Sequence, residues 1–193
     1  MAGGVGSGKS TVARILSELG AGVIDSDDLS HQEINSNEVK ATLQRWWGDD
    51  VFQSDGSVDR KTIGRIVFSD SEQRHRLEAM LHPRIAVRRE DLIAEFDKQP
   101  RIKMIVLDSP LLYESDLDLA CDAVIFVDAS TEQRKERSEK QRQWPEGELG
   151  RREKLQQSLD MKRARADHIC SNNSSLADLR KDVERIFAQI LAT

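Results

Sequence analysis

The sequence predicts an α/β fold, a doubly wound parallel sheet with helices on both faces. Three observations predict it. Continuous apolar runs end in aspartate in "KMIVLDSPLL" (103–112) and "AVIFVDAS" (123–130), and a shorter run, "GVID", ends the same way at 22–25. Runs that are apolar on both faces suit parallel strands covered by helices. Stretches with apolar residues at helical spacing alternate with these runs, and that alternation marks the class. The 193 residues suffice for one domain, or one carrying an insertion, with a core of its own.

The first element is a loop, "AGGVGSGKST" (2–11). Gly3, Gly8, Lys9 and Ser10 satisfy G-x-x-x-x-G-K-[ST], a phosphate-binding pattern. The glycines Gly4, Gly6 and Gly8, with Val5 and Ser7 between them, let the backbone curl so that its N–H groups point at phosphate oxygens. The helix that follows aims its positive end at the same place. Lys9 is suited to the β- and γ-phosphates, the Ser10 hydroxyl to Mg²⁺, and Thr11 to the α-phosphate. Four fixed positions match by chance in roughly 1% of chains this long. The surrounding glycines and the helix make the match stronger. Val12, Ile15, Leu16 and Leu19 share one face of that helix, and Gly20 closes it.

After the strand at 22–25, residues 29–99 hold no convincing strand but several helical patterns. One carries Val39, Leu43, Trp46 and Trp47. Another begins near Arg60 with Ile63, Ile66 and Val67. A third, around Leu77 and Leu81, is interrupted at "HP" (82–83), where Pro83 can open a new helix at its first position. This region reads as a helical insertion. Residues 131–166 form a second departure, polar and rich in arginine: Arg134, Arg137, Arg142, Arg151, Arg152, Arg163 and Arg165. "DHICSNNSS" (167–175) reads as a last short strand. Leu179, Val183, Ile186, Phe187, Ile190 and Leu191 then face one way on a final helix.

Composition narrows the function. A net charge of −5 argues against a general nucleic-acid coat. No apolar run approaches the roughly 18 residues that span a bilayer, and Met1 leads directly into the glycine loop with no signal peptide. Cys121 and Cys170 match neither zinc nor redox spacing and read as free thiols in a reducing compartment. The expected location is the cytoplasm, with no nucleic-acid or membrane partner. The chain contains no N-K-x-D and no D-x-x-G segment, which a GTPase would need, so the loop points to ATP.

A kinase needs a group to take the acceptor's proton and an acid to organise the metal. Asp25 and Asp27 end the second strand, where open α/β sheets bind ligands, and period-two alternation puts them on one side while strand geometry lasts. Either could be the base, or a cap for the next helix. Asp108 closes the "MIVLD" run, where an acid would hold Mg²⁺ through water. Most of the arginines fit a solvated helix paired with its glutamates. One or two in a lid could neutralise charge on the moving phosphoryl group.

Taken together, six segments resemble the dephospho-CoA kinase family, over nearly the whole chain. They are "GGVGSGKSTVA", "VIDSDDLSHQ", "DGSVDRKTIGRIVF", "LEAMLHPRI", "DSPLLYES" and "ARADHICSNNSSL", in the family's order. The resemblance implies transfer of the ATP γ-phosphate to the ribose 3′-hydroxyl of dephospho-CoA. It implies Asp27 as the catalytic aspartate, Arg137 as a phosphate-contacting arginine with Arg142 as a second, and Asn172 near the adenine. It places His82 on the acceptor side, although an N-cap role for His82 stays open. It also divides the chain. Residues 1–28, 100–130 and 167–193 would be the nucleotide-binding core, 29–99 the acceptor domain and 131–166 the lid, in a monomer or weak homo-oligomer. Two other readings compete: another small-molecule P-loop kinase, and a nucleotide-binding module without turnover.

Four departures from the family pattern stand out. Ala2 replaces a threonine before the glycines, His31 an arginine, and Ser171 an aspartate, and the spacing after Arg137 differs by about one residue. A further one concerns the sheet. Family members carry a central strand ahead of the loop, and a strand needs about five residues. Met1 and Ala2 are too few, so the first central strand is expected to be missing, through truncation or a start placed too late.

Overall fold

In the computed structural model, residues 1–193 are described except 143, 144, 146 and 155, and the side chains of 141, 142, 148 and 152. The described chain forms two compact units, Met1–Ile24 with Gln99–Thr193, and Asp25–Lys98.

The first unit contains the sheet. Its strands are β1 (Ala2–Gly3), β2 (Ala21–Asp25), β3 (Met104–Asp108), β4 (Ile125–Asp128) and β5 (His168–Ser171). Three of them form a sheet in the order β1-β4-β5, and β2 and β3 form a two-stranded sheet. β4 pairs in parallel with β5, setting Ile125 opposite His168 and Asp128 opposite Ser171. Alternation along β4 explains why its sequence is apolar throughout. Ile125 and Val127 join one core cluster, while Val124 and Phe126 join another on the opposite face. The first cluster is closed by α1 (Lys9–Glu18) and α9 (Leu176–Leu191), through Val12, Ile15, Leu16, Val183, Ile186 and Phe187. On α9, Leu191 departs from the expected face and is exposed.

The missing central strand is corrected in part. Ala2 and Gly3 do form a strand, paired in parallel with Phe126 and Val127 of β4. Met1 is buried, and its amino group donates to the Leu107 carbonyl of β3 at 2.6 Å. Burial pulls the pKa of that amino group below its ordinary value, Cys121 and Asp108 oppose the shift, and Lys9 adds to it. Met1 and Ala2 bury their side chains in different core clusters. The ladder exists only at the end that feeds the glycine loop.

The second unit is helical: α2 (Ser26–Ile34), α3 (Asn37–Trp47), α4 (Arg60–Ser69) and α5 (Ser71–Asp97). Ile34, Val39, Leu43, Val51, Val58, Ile63 and Leu81 make its core, with Trp46 and Trp47 packed against it. Asp59 and Asp70 cap α4 and α5 by accepting from backbone N–H groups of the first turn. One expectation fails here. Pro83 does not start a helix but lies inside α5. The 27-residue helix forgoes the one bond that Pro83 cannot donate, and flanking turns carry it through. His82 therefore cannot be an N-cap. An antiparallel bridge between Phe52 and Val58 closes the turn before α4.

The remaining helices belong to the first unit: α6 (Thr131–Arg142), α7 (Glu148–Glu153) and α8 (Leu159–Ala164). No described helix is long and apolar enough to cross a membrane. Neither cysteine forms a disulfide among the described residues. Cys121 is half-buried and Cys170 fully buried, where desolvation, aided by Asp182 and opposed by Arg185, pushes the Cys170 thiol up to about 12.

Candidate active site

The glycine loop leaves β1 and enters α1 through Gly8, which takes a left-handed φ of 93° as the N-cap. No side chain caps α1, so the helix start is left to other acceptors. Backbone bonds fix the curl: Ser7 N–H to Gly4 O at 3.1 Å, and Thr11 N–H to Gly8 O at 3.0 Å.

Gly3, Gly6 and Gly8 are required by space as well as by φ. A Cβ on Gly6 would lie 2.7 Å from the Arg134 carbonyl, and one on Gly8 only 2.2 Å from Asn172 Nδ2. At Gly6 and Gly8 the packing that excludes a Cβ comes from α6 and from the turn after β5. Asn172 is buried and its amide donates to Ser7 O at 2.7 Å. Arg137 reaches the same backbone. It donates to Gly6 O at 3.4 Å, Ser7 O at 3.3 Å and Asn172 O at 3.1 Å. Lys9 Nζ lies 3.3 Å from Gly3 O, over the loop it belongs to. Val5 and Thr11 are half-buried, and Ser10 is exposed in the first turn of α1. Asp108 is buried at the end of β3.

Arg134, one of the seven arginines of the polar stretch, is not solvated. It is buried, donates to Ala129 O at 3.2 Å and Thr131 Oγ at 3.2 Å, and pairs with Glu153. Desolvation lowers its pKa, with Asp128 and Glu132 opposing. Its carbonyl backs the loop at Gly6, so the first half of α6 is a wall for the loop. Arg163 and Arg165 also pair, with Asp128 and Asp118, and Arg165 lies over the Tyr113 ring. The side chain of Arg142 lies outside the described residues.

In the helical unit, Asp25 and Asp27 separate cleanly. The Asp25 carboxylate caps α2, accepting from Asp27 N–H at 2.8 Å and Asp28 N–H at 3.1 Å. Helix geometry begins at Ser26, so the strand alternation expected to align the two carboxylates has already ended. Asp27 is exposed in the first turn of α2. His82 is exposed on α5.

Sequence reasoning missed two residues. Lys162 on α8 has 0% exposure, yet it is a lysine. Asn173 holds the start of α6, accepting from Ser130 N–H at 2.7 Å and from the Gln133 side chain at 3.0 Å. Neither carries a periodic signal: Lys162 sits in a polar stretch, and Asn173 in a run of small polar residues.

A parallel α/β sheet whose first strand feeds a glycine-rich loop and a helix start defines a nucleotide-phosphate-binding class of protein. The comparisons with known proteins give the particular family. The family model described as dephospho-CoA kinase matches residues 1–178. A Bacillus licheniformis protein named dephospho-CoA kinase is 36% identical, covering 100% of this chain and 94% of its own. A Symbiobacterium thermophilum protein of the same name is 38% identical over 95% of this chain and 77% of its own. A crystal structure from Thermus thermophilus is similar at a TM-score of 0.82 and 31% identity, covering 98% of this chain and 95% of that one. The chain belongs to the dephospho-CoA kinase family.

Proposed function

We propose that this protein transfers the γ-phosphate of ATP to the ribose 3′-hydroxyl of dephospho-CoA, giving coenzyme A and ADP. The observation that carries the reading is the family match over residues 1–178, which spans both compact units. It favours this kinase over another small-molecule kinase or a module without turnover, because relatives bearing that name align with the chain end to end.

Roles for the residues follow from their chemistry. The backbone of Gly4, Val5, Gly6, Ser7 and Gly8, with the start of α1, cradles the phosphates, and Lys9 neutralises the β- and γ-oxygens. Thr11 assists at the α-phosphate. Arg137 steadies the loop through its carbonyls and, with Arg142, supplies positive charge toward the phosphates. Asn172 lies on the adenine side. Asp27 takes the proton of the acceptor hydroxyl as it attacks, and His82 contributes to holding the acceptor. On this reading residues 29–99 form the acceptor domain and 131–166 the lid, in a cytoplasmic monomer or weak homo-oligomer.

The reaction class implies Mg²⁺. The residues fit it: Ser10 and Asp108 offer hard oxygen donors. The described residues contain no group of three or more His, Cys, Asp or Glu able to hold a metal. An ion bound mainly by nucleotide oxygens and water needs no such cage. Ser10 and Asp108 would hold it, and bound there it would neutralise charge on the β- and γ-phosphates.

The test is ADP release with and without dephospho-CoA, with product identified by mass. ADP release that depends on dephospho-CoA and yields coenzyme A is expected. Tight ATP binding with no acceptor-dependent release would support the binding module instead.

A further inference from the structure

The most unusual side chain outside the loop is Lys162. Lysine is almost never fully buried unless paired, and removing its charge from water is costly before any partner is counted. Here the ammonium has three acceptors for its three protons. Glu114 Oε1 lies at 2.8 Å, the Pro110 carbonyl at 3.0 Å and Gln156 Oε1 at 3.3 Å. Glu114 Oε1 also accepts from Gln157 N–H at 2.8 Å. Replacing a buried ion pair by well-packed apolar residues is often neutral or stabilising, so the pair is weak evidence of a stabilising role.

Pro110 stands two residues beyond Asp108, in a step with little freedom. The proline ring fixes its own φ, and the residue before it, Ser109, is restricted to extended backbone. Ser109 is itself buried. The hydrogen bond from Lys162 to Pro110 O anchors the chain two residues beyond Asp108. The helix that carries Lys162 also touches the glycine loop: the Leu159 side chain lies where a Cβ on Gly4 would come within 3.1 Å.

We propose that Lys162 and Glu114 form a latch that orients Asp108 through Pro110, which makes Lys162 a positioning residue for phosphoryl transfer. The inference rests on the metal role proposed for Asp108. Lys162 touches neither nucleotide nor acceptor. It acts by holding α8 and the "DSPLLYE" segment in one arrangement, as partners behind metal ligands do elsewhere.

Three variants test it: Lys162→Met, Glu114→Gln and Asp108→Asn. Amide hydrogen exchange of residues 108–115 is measured without nucleotide or metal. The rate is then measured against Mg²⁺ concentration. For Lys162→Met, exchange in 108–115 should quicken about tenfold, and the Mg²⁺ needed for half-maximal rate should rise about 10- to 100-fold. The KM for dephospho-CoA should stay within about threefold, since the acceptor is not touched. Glu114→Gln should move both readouts the same way by less. Native exchange in folded Lys162→Met, or quickened exchange with an unchanged Mg²⁺ dependence, would overturn the latch. If Lys162→Met does not fold, Glu114→Gln decides by the same two readouts. An unchanged Mg²⁺ dependence in Asp108→Asn would instead remove the metal reading of Asp108 and the proposal with it.

Discussion

The glycine loop and the helical unit present their proposed functional groups in opposite ways. In the loop, residues 2–11 are specified by their backbone. Gly6 and Gly8 adopt φ of 75° and 93°, and Arg134 and Asn172 fill the space a side chain would need. In the helical unit, Asp27 and His82 are exposed side chains on α2 and α5, and neither helix depends on them for its core. A site made of backbone constrains residue type at every step, whereas a site made of side chains on a helix surface constrains only its own few positions. The first should fail through loss of geometry and the second through loss of one chemical group.

The sharpest test of that contrast is Asp27→Asn, which keeps shape and removes the base. Its kcat should fall about 10²- to 10⁴-fold. The KM for ATP and the melting temperature should stay near the parent values. A mutant with unchanged turnover would remove Asp27 from the mechanism. Lys9→Ala comes next, at about 10²- to 10³-fold in kcat, the order found when one preorganised charge-stabilising donor is lost. Here ATP affinity should fall as well, because Lys9 serves ground state and transition state alike. Titration calorimetry with ATP separates the two variants: a Lys9→Ala protein that bound ATP normally would contradict the loop assignment.

The same contrast explains what could be read in the sequence. The loop, α1 and the strands were legible because glycine spacing and unbroken apolar runs have few alternative explanations. Asp27 was not separable from Asp25 by spacing, since both follow the strand and either suits a cap. The resemblance to a family chose Asp27; the structure assigns the cap to Asp25. Pro83 was misread as a helix start because proline is common at that position, while a long helix can absorb a single missing bond. The strand at Ala2–Gly3 is illegible in the sequence because two residues carry no apolar run or alternation of their own. Its neighbours β3 and β4 supply the order that two residues alone could not. Lys162 was illegible for another reason: a lysine in a polar stretch reads as solvated, and only tertiary packing buries it.

Smaller effects separate backbone from side chain further. Gly8→Ala forces a side chain into a left-handed position against Asn172. It should cost about 1–3 kcal/mol and lower ATP affinity without touching any titratable group. Denaturant unfolding and ATP binding measure both, and wild-type values in each would show that the loop tolerates more than its packing indicates. Asp25→Ala removes the α2 cap and should cost about 1 kcal/mol in the same unfolding experiment. A change much larger than that would mean Asp25 does more than cap.

The smallest effect expected is a pH dependence carried by Glu114. Burial by itself would raise its pKa. The hydrogen bonds from Lys162, from Gln157 N–H and from its own backbone outweigh that, and the carboxyl ends below its ordinary value. A carboxyl whose folded pKa lies below its unfolded one stabilises the fold fully above the unfolded pKa of about 4.3. That stabilisation is lost as pH falls through the folded value. The stability difference between wild type and Glu114→Gln should therefore be largest near neutral pH and shrink steadily below about pH 5. Urea midpoints measured from pH 7 downward test this. A difference that stayed constant with pH would mean that Glu114 carries no linked proton and holds Lys162 by shape alone.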